Sequence, residues 1–148
     1  MSKTQRISAP RLWLVLARAY GSVSAYAERC VTAQGLCLSD FMVLEALLHK
    51  GPLTITAIGS RVLLASASMT SAIDRLEDRG LVHRVSSEED RRVRIVALSR
   101  EGSEFIAKVY AQHEADLEFI TSEFSAAERK SLYDGLKKLG MAAKTLRI

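Results

Sequence analysis

Apolar residues recur at spacings of three and four along most of this chain, and at spacings of two in one short central region. Pro10 suits the first turn of a helix. Beyond it Leu12, Leu16, Ala19, Val23, Ala27 and Cys30 form one stripe over about five turns, closed by Gly35. Ser39 is placed to cap a second helix, with Phe41, Leu44 and Leu48 as its stripe and Gly51-Pro52 as its stop. The run LTITAIGSRV (53–62) predicts a short third helix opened by Thr54 or Thr56. ASASMTSAIDRLEDRG (65–80) predicts a fourth, with Met69, Ile73 and Leu76 in line and Gly80 just past the end. LVHRVSS and VRIVALS, on either side of EEDRR, read as two strands joined by a charged turn. Ser99 is placed to cap a fifth helix carrying Phe105, Val109, Leu117 and Ile120. SAAE (125–128) fits a capping box. It opens a sixth helix with a heptad-like seam of Leu132, Leu136, Leu139, Ala143 and Leu146.

Four helices, two strands and two helices, in that order, predict a mainly α fold with a small two- to three-stranded β wing. The central block, about 38–100, has the pattern of a winged helix-turn-helix; helices at about 9–34 and 100–146 flank it within one domain, 1–148. Both flanking stripes are longer than one small core requires. Packing against a second copy across a twofold axis would bury them, so they are expected to be dimerisation helices.

Composition narrows the class. Hydrophobic residues make up 48% and charged residues 26% of the 148, an ordinary globular balance. No apolar run approaches the roughly 20 residues of a membrane span, and the first ten residues lack the apolar core of a signal peptide, so a cytoplasmic protein is expected. The net charge of +4 permits a polyanionic partner without requiring one. Position matters more: all eight basic residues between Leu53 and Arg100 are arginine. His49, His83 and His113 are too scattered for a metal motif. No nucleophile elbow, P-loop or dinucleotide-binding glycine run is present, so neither an enzyme nor a bound cofactor is expected.

The central block carries chemistry suited to duplex DNA. The fourth helix opens with short hydroxyls at Ser66, Ser68, Thr70 and Ser71, which let a helix backbone approach bases and phosphates closely, and Arg75 follows one to two turns on. The same serines would also serve a plain capped, solvated helix. The hairpin tip sets Glu88, Glu89 and Asp90 directly before Arg91 and Arg92. An arginine there can enter a narrow minor groove, drawn by its negative potential, while Asp90 can pair with an arginine and hold the turn.

These residues resemble the DNA-binding core of the MarR family of bacterial transcriptional regulators. The resemblance rests on the opening LT, on Thr70 followed by DRLEDRGLVHR (74–84), on Asp90-Arg91-Arg92 in the wing, and on LSREG (98–102). It covers about 50 residues closely; the flanking helices match in length and pattern only. It implies a homodimer with intertwined terminal helices, a recognition helix in the major groove and wing arginines in the minor groove of double-stranded DNA. Arg92 is then the wing arginine, braced by Asp90, with Arg91 and Arg94 as further contacts. Ser66, Ser68, Thr70, Ser71 and Arg75 fall on recognition-helix positions. The helix start LLASASMTSA is small and neutral where many members carry proline or charge, which leaves the operator sequence open.

The resemblance also implies a dimeric repressor released from a pseudo-palindromic operator by a small phenolic or aromatic-acid ligand. Trp13, Arg18, Tyr26 and His49 are the candidates for holding such an effector, although core and interface packing is the more ordinary role for such residues. Two alternatives stay open. One is a redox regulator on the same fold, using Cys30 or Cys37; the other is a winged-helix protein-interaction module.

Overall fold

The computed structural model describes residues 6–62 and 66–146, with the side chains of Ser66 and Ala67 not included. Helix α1 spans Ala9–Ala33 and α2 Leu38–Lys50. A two-residue strand β1, Leu53–Thr54, precedes α3 (Ile55–Val62) and α4 (Ser66–Asp78). Strands β2 (Val82–Ser86) and β3 (Arg94–Leu98) form the wing, followed by α5 (Arg100–Ile120) and α6 (Ala126–Thr145). The mainly helical winged fold expected from the pattern is present.

The sheet has three strands in the order β1-β3-β2, all antiparallel. Val82 pairs with Leu98 and Ser86 with Arg94, so the hairpin tip runs over residues 87–93. The third strand corrects the reading of 53–62 as helix throughout: Leu53 and Thr54 pair with Val96 and Ile95 before the helix begins. Thr54 then serves as the expected opener, its Oγ1 accepting from the Ala57 N–H at 3.1 Å. A second correction concerns α2. Its N-cap is Cys37, and Ser39 sits inside the first turn, its Oγ 3.2 Å from the Cys37 sulfur.

One unit comprises residues 1–113. Its core brings Phe41, Leu44 and Leu47 of α2 together with Ile58 of α3, Met69, Ile73 and Leu76 of α4, Val96 of β3, and Ile106 and Val109 of α5. The apolar line expected on α4 is this inward face. Gly80, at φ +72°, turns the chain out of α4, a conformation that costs glycine least. Ser99 then ties the end of β3 to α5: its hydroxyl donates to the Gly80 carbonyl at 2.6 Å and accepts from the Gly102 N–H at 2.9 Å. The stripe of α1 behaves differently. Leu12 and Val23 of the stripe are exposed, as are Trp13, Val15 and Tyr20 around it, and Val31 is the one buried residue of the helix.

The second unit comprises residues 114–148. Arg129 joins its two helical segments, donating to Glu118 Oε2 at 2.6 Å and to the Thr121 carbonyl at 3.0 Å. The capping box forms as read: Ser125 Oγ accepts from the Glu128 N–H, and Glu128 accepts from the Ser125 N–H at 2.8 Å. No residue of α6 is buried, and Leu132, Tyr133, Leu136, Leu139 and Met141 all face solvent.

The Ser125 hydroxyl and then its backbone N–H hold the Glu128 carboxyl below the usual glutamate range. A carboxyl with a lowered folded-state pKa stabilises at pH above its ordinary value, and that contribution vanishes as pH falls through the lowered one. Acidification is therefore expected to fray the start of α6 only below the usual carboxylate range. In an NMR titration the Glu128 midpoint should rise in Ser125→Ala; an unchanged midpoint would refute the box as its cause.

Candidate nucleic-acid interface

Burial on one side of α4 dictates what the other side presents. Met69, Ala72, Ile73 and Leu76 are inward, and Ser68, Thr70, Ser71, Asp74 and Arg75 are outward. Ser66 begins the helix, but its side chain lies outside the described residues. The outward start of α4 is thus a surface of short hydroxyls, which donate to or accept from either base edges or phosphates.

The acids and arginines of DRLEDRGLVHR are mostly paired within the fold. Arg84 of β2 reaches back to α4, donating from Nη2 to Asp74 Oδ1 at 2.5 Å and from Nη1 to Glu77; its own N–H donates to Glu77 Oε1 at 3.1 Å. This clamp ties the wing to the helix beside it. Arg79 donates to the Gly35 carbonyl at 3.1 Å and stacks over Phe105, its guanidinium carbon 5.6 Å from the ring centre. Arg75 turns toward α2, where Asp40 accepts from Nη2 at 2.5 Å and from Nε at 3.3 Å. Hydrogen bonds to Asp40 and Asp74 lead in raising the Arg75 and Arg84 guanidiniums above their ordinary pKa, so both stay charged at any pH where the chain folds. Sequence reasoning missed Asp40 and Arg84. The available signals were Asp74 and Glu77, three apart on one helical face, and a lone acid in the apolar start of α2.

At the wing tip Asp90 braces the turn, but through the backbone. Its Oδ1 accepts from the Arg92 N–H at 2.9 Å, and its carbonyl from the Val93 N–H at 2.9 Å. The pairing with an arginine side chain that the sequence suggested is absent among the described residues. The guanidiniums of Arg91 and Arg92 stand exposed there, without a hydrogen-bond or ion-pair partner among the described residues. Arg94, one register pair back, donates to Ser86 Oγ at 3.1 Å. A short turn pinned by its own carboxylate and carrying two free guanidiniums is equipped to donate to acceptors in a groove or on phosphates.

The effector candidates are dispersed. Trp13 and Arg18 are exposed on α1. Tyr26 lies further along the same helix, with the Arg29 guanidinium carbon 6.0 Å from its ring centre. His49 packs edge-on against Tyr110 of α5, ring centres 4.6 Å apart. Neither cysteine is in a disulfide among the described residues; Cys30 is half-buried and Cys37 exposed, its sulfur 3.6 Å from Arg75 Nη2.

The sequence profile of the MarR family matches residues 36–93, the stretch from the start of α2 to the end of the wing tip. The HTH-type transcriptional regulator MhqR of Bacillus subtilis (strain 168) is 34% identical over 134 residues, covering 90% of this chain and 92% of that protein. AbsC, a MarR family transcriptional regulator from Streptomyces coelicolor, superposes with a TM-score of 0.82 at 19% identity, over 97% of this chain and 100% of AbsC. Bordetella bronchiseptica BpsR, whose DNA binding is regulated by 6-hydroxynicotinic acid, superposes with a TM-score of 0.78 at 23% identity, over 88% of this chain and 98% of that one.

Proposed function

The chain belongs to the MarR family of DNA-binding transcriptional regulators, and from that premise we propose that it acts as a homodimeric repressor on a pseudo-palindromic operator. The single observation that carries the reading is the division of its arginines. Arg75, Arg79 and Arg84 are bound within the fold, whereas Arg91 and Arg92 are held out at a pinned hairpin tip beside a helix of exposed hydroxyls. In this reading the start of α4, with Ser66, Ser68, Thr70 and Ser71, lies in the major groove and contacts its base edges and bordering phosphates, Arg75 stands beside it, and Arg92 enters the minor groove with Arg91 and Arg94 near phosphate. Repression follows from excluding polymerase.

The uncovered apolar faces of α1 and α6 support a dimer. Each carries large side chains that a single chain leaves in water. Half-sites one helical turn apart need recognition helices about 34 Å apart, so small rotations of the two lobes would release the operator. A small aromatic acid or phenol is the proposed effector; the regulation of BpsR by 6-hydroxynicotinic acid supports that class for this fold. Among the described residues no single helix is long and apolar enough to cross a membrane, and a cytoplasmic location fits the role.

Selection from a random duplex pool, followed by fluorescence anisotropy on selected and scrambled duplexes, tests the reading. Tight, salt-dependent and sequence-selective binding is expected; a pool that enriches no site would overturn it. The dimer has its own test. Leu132→Glu with Leu139→Glu places charge at two leucines that are exposed among the described residues. The variant should keep its helicity and run as a 16.3 kDa monomer in light scattering. A persistent dimer would remove α6 from the interface.

A further inference from the structure

Asp40 is the one charged residue buried among the described residues, at 3% exposure. Among the described residues its carboxylate accepts from Arg75 alone, whose Nη2 also donates to Ser39 Oγ at 3.3 Å. Nε and Nη2 are therefore committed within the fold, and Nη1 has no partner among the described residues. The Arg75 side chain as a whole remains 48% exposed. It borders a depression of about 350 Å³ lined otherwise by the hydroxyls of Ser39, Ser68 and Ser71. The depression joins α2 to the outward start of α4, so whatever fills it touches both helices.

This geometry limits what Arg75 can do. Reading guanine takes two N–H groups side by side for O6 and N7. Arg75 could offer such a pair only by giving up bonds to Asp40 or Ser39. Its charge is also matched by a carboxylate 2.5 Å away. A matched charge releases few counterions from a duplex, so the pair adds little to sequence-independent attraction. What is left is direction: one N–H edge fixed in place above three hydroxyl groups, a set suited to the tetrahedral oxygens of a phosphodiester.

We propose that Asp40 is a specificity-determining positioning residue. It fixes Arg75 and cancels its charge, so that the Ser39–Ser68–Ser71–Arg75 depression takes one backbone phosphate through directed hydrogen bonds. Such a contact forms only when α4 sits in register in the groove. Without the Asp40 charge, Arg75 becomes a mobile cation that attracts any duplex. This inference rests on the DNA-binding reading above and deepens it.

Asp40→Asn tests it, because asparagine keeps the shape and an acceptor for Arg75 while removing the negative charge. On a scrambled duplex this variant is expected to bind about threefold to tenfold tighter at low salt. Its plot of log affinity against log salt should steepen by about 0.9, one additional phosphate neutralised. The ratio of selected to scrambled affinity should fall about tenfold. The double variant Asp40→Asn/Arg75→Gln covers the case in which the single one folds poorly, since it leaves a neutral, hydrogen-bonding pair. It should keep the wild-type salt slope and lose about tenfold on the selected duplex. An unchanged slope in Asp40→Asn, or equal weakening on both duplexes, would show that Asp40 only holds α2 against α4. In the double variant, a flatter slope or undiminished affinity for the selected duplex would overturn the proposal in the same way. These outcomes count against a wild type that discriminates between duplexes. A wild type that binds neither removes the DNA-binding reading itself.

Discussion

Gly102→Ala is expected to cost more than about 3 kcal/mol and to leave little folded protein at physiological temperature. The cause is steric. A Cβ at residue 102 would lie 1.8 Å from the carbonyl oxygen of Leu81 and 2.7 Å from its carbon. Those are backbone atoms, and no side-chain rotation relieves the clash. The Leu81 carbonyl is fixed as well, since it accepts from the Ser99 N–H at 3.0 Å at the point where the wing strands meet α5. A shift large enough to admit a methyl group would pull β2 and α5 apart and open the core at Val82 and Ile106. Gly135→Ala is the control. No atom of the described residues lies within 4 Å of a Cβ there, and alanine in the middle of α6 should stabilise by roughly 0.5–1 kcal/mol. Urea melts of the two variants decide the matter: a Gly102→Ala midpoint equal to that of the native chain would show that the close approach is not a constraint.

The second large effect concerns binding and spares the fold. Arg92→Ala should weaken binding to the selected duplex by about 1–3 kcal/mol, roughly tenfold to a hundredfold, with the melting midpoint unchanged. The side chain is exposed and has no partner among the described residues, while the turn is held by Asp90 through the Arg92 backbone, which alanine retains. The salt slope should flatten by about 0.9, because an unpaired guanidinium in the negative potential of the minor groove offsets roughly one phosphate charge. That is opposite in sign to the change expected of Asp40→Asn, so one salt series separates a free arginine from a matched one. Undiminished affinity in Arg92→Ala would take the wing out of the interface.

Much of this protein was legible in the order of its residues. Helical periodicity located the six helices because each buries one face, or leaves one to be covered, at a spacing that side-chain geometry dictates. Gly80, Thr54, Ser99 and the box at Ser125 and Glu128 could be read because caps are local: donor and acceptor lie within three residues. The strand β1 could not. Two residues carry no period, and their strand character comes from pairing with Ile95 and Val96, about 40 residues away.

The arginines show the limit most clearly. The eight between Leu53 and Arg100 are chemically identical, and nothing within a few positions of each says which faces the core and which faces a ligand. Arg75 is taken by Asp40, 35 residues before it, Arg79 by a carbonyl 44 residues before it, and Arg84 by acids seven and ten residues back across a turn. The sequence alone determined the six helices, the two wing strands, most of the caps and the family, all of which rest on short-range pattern. Only the tertiary structure decided which charges are matched and which remain free. An ion pair depends on distance in space, and folding brings together acids and bases that the chain keeps far apart.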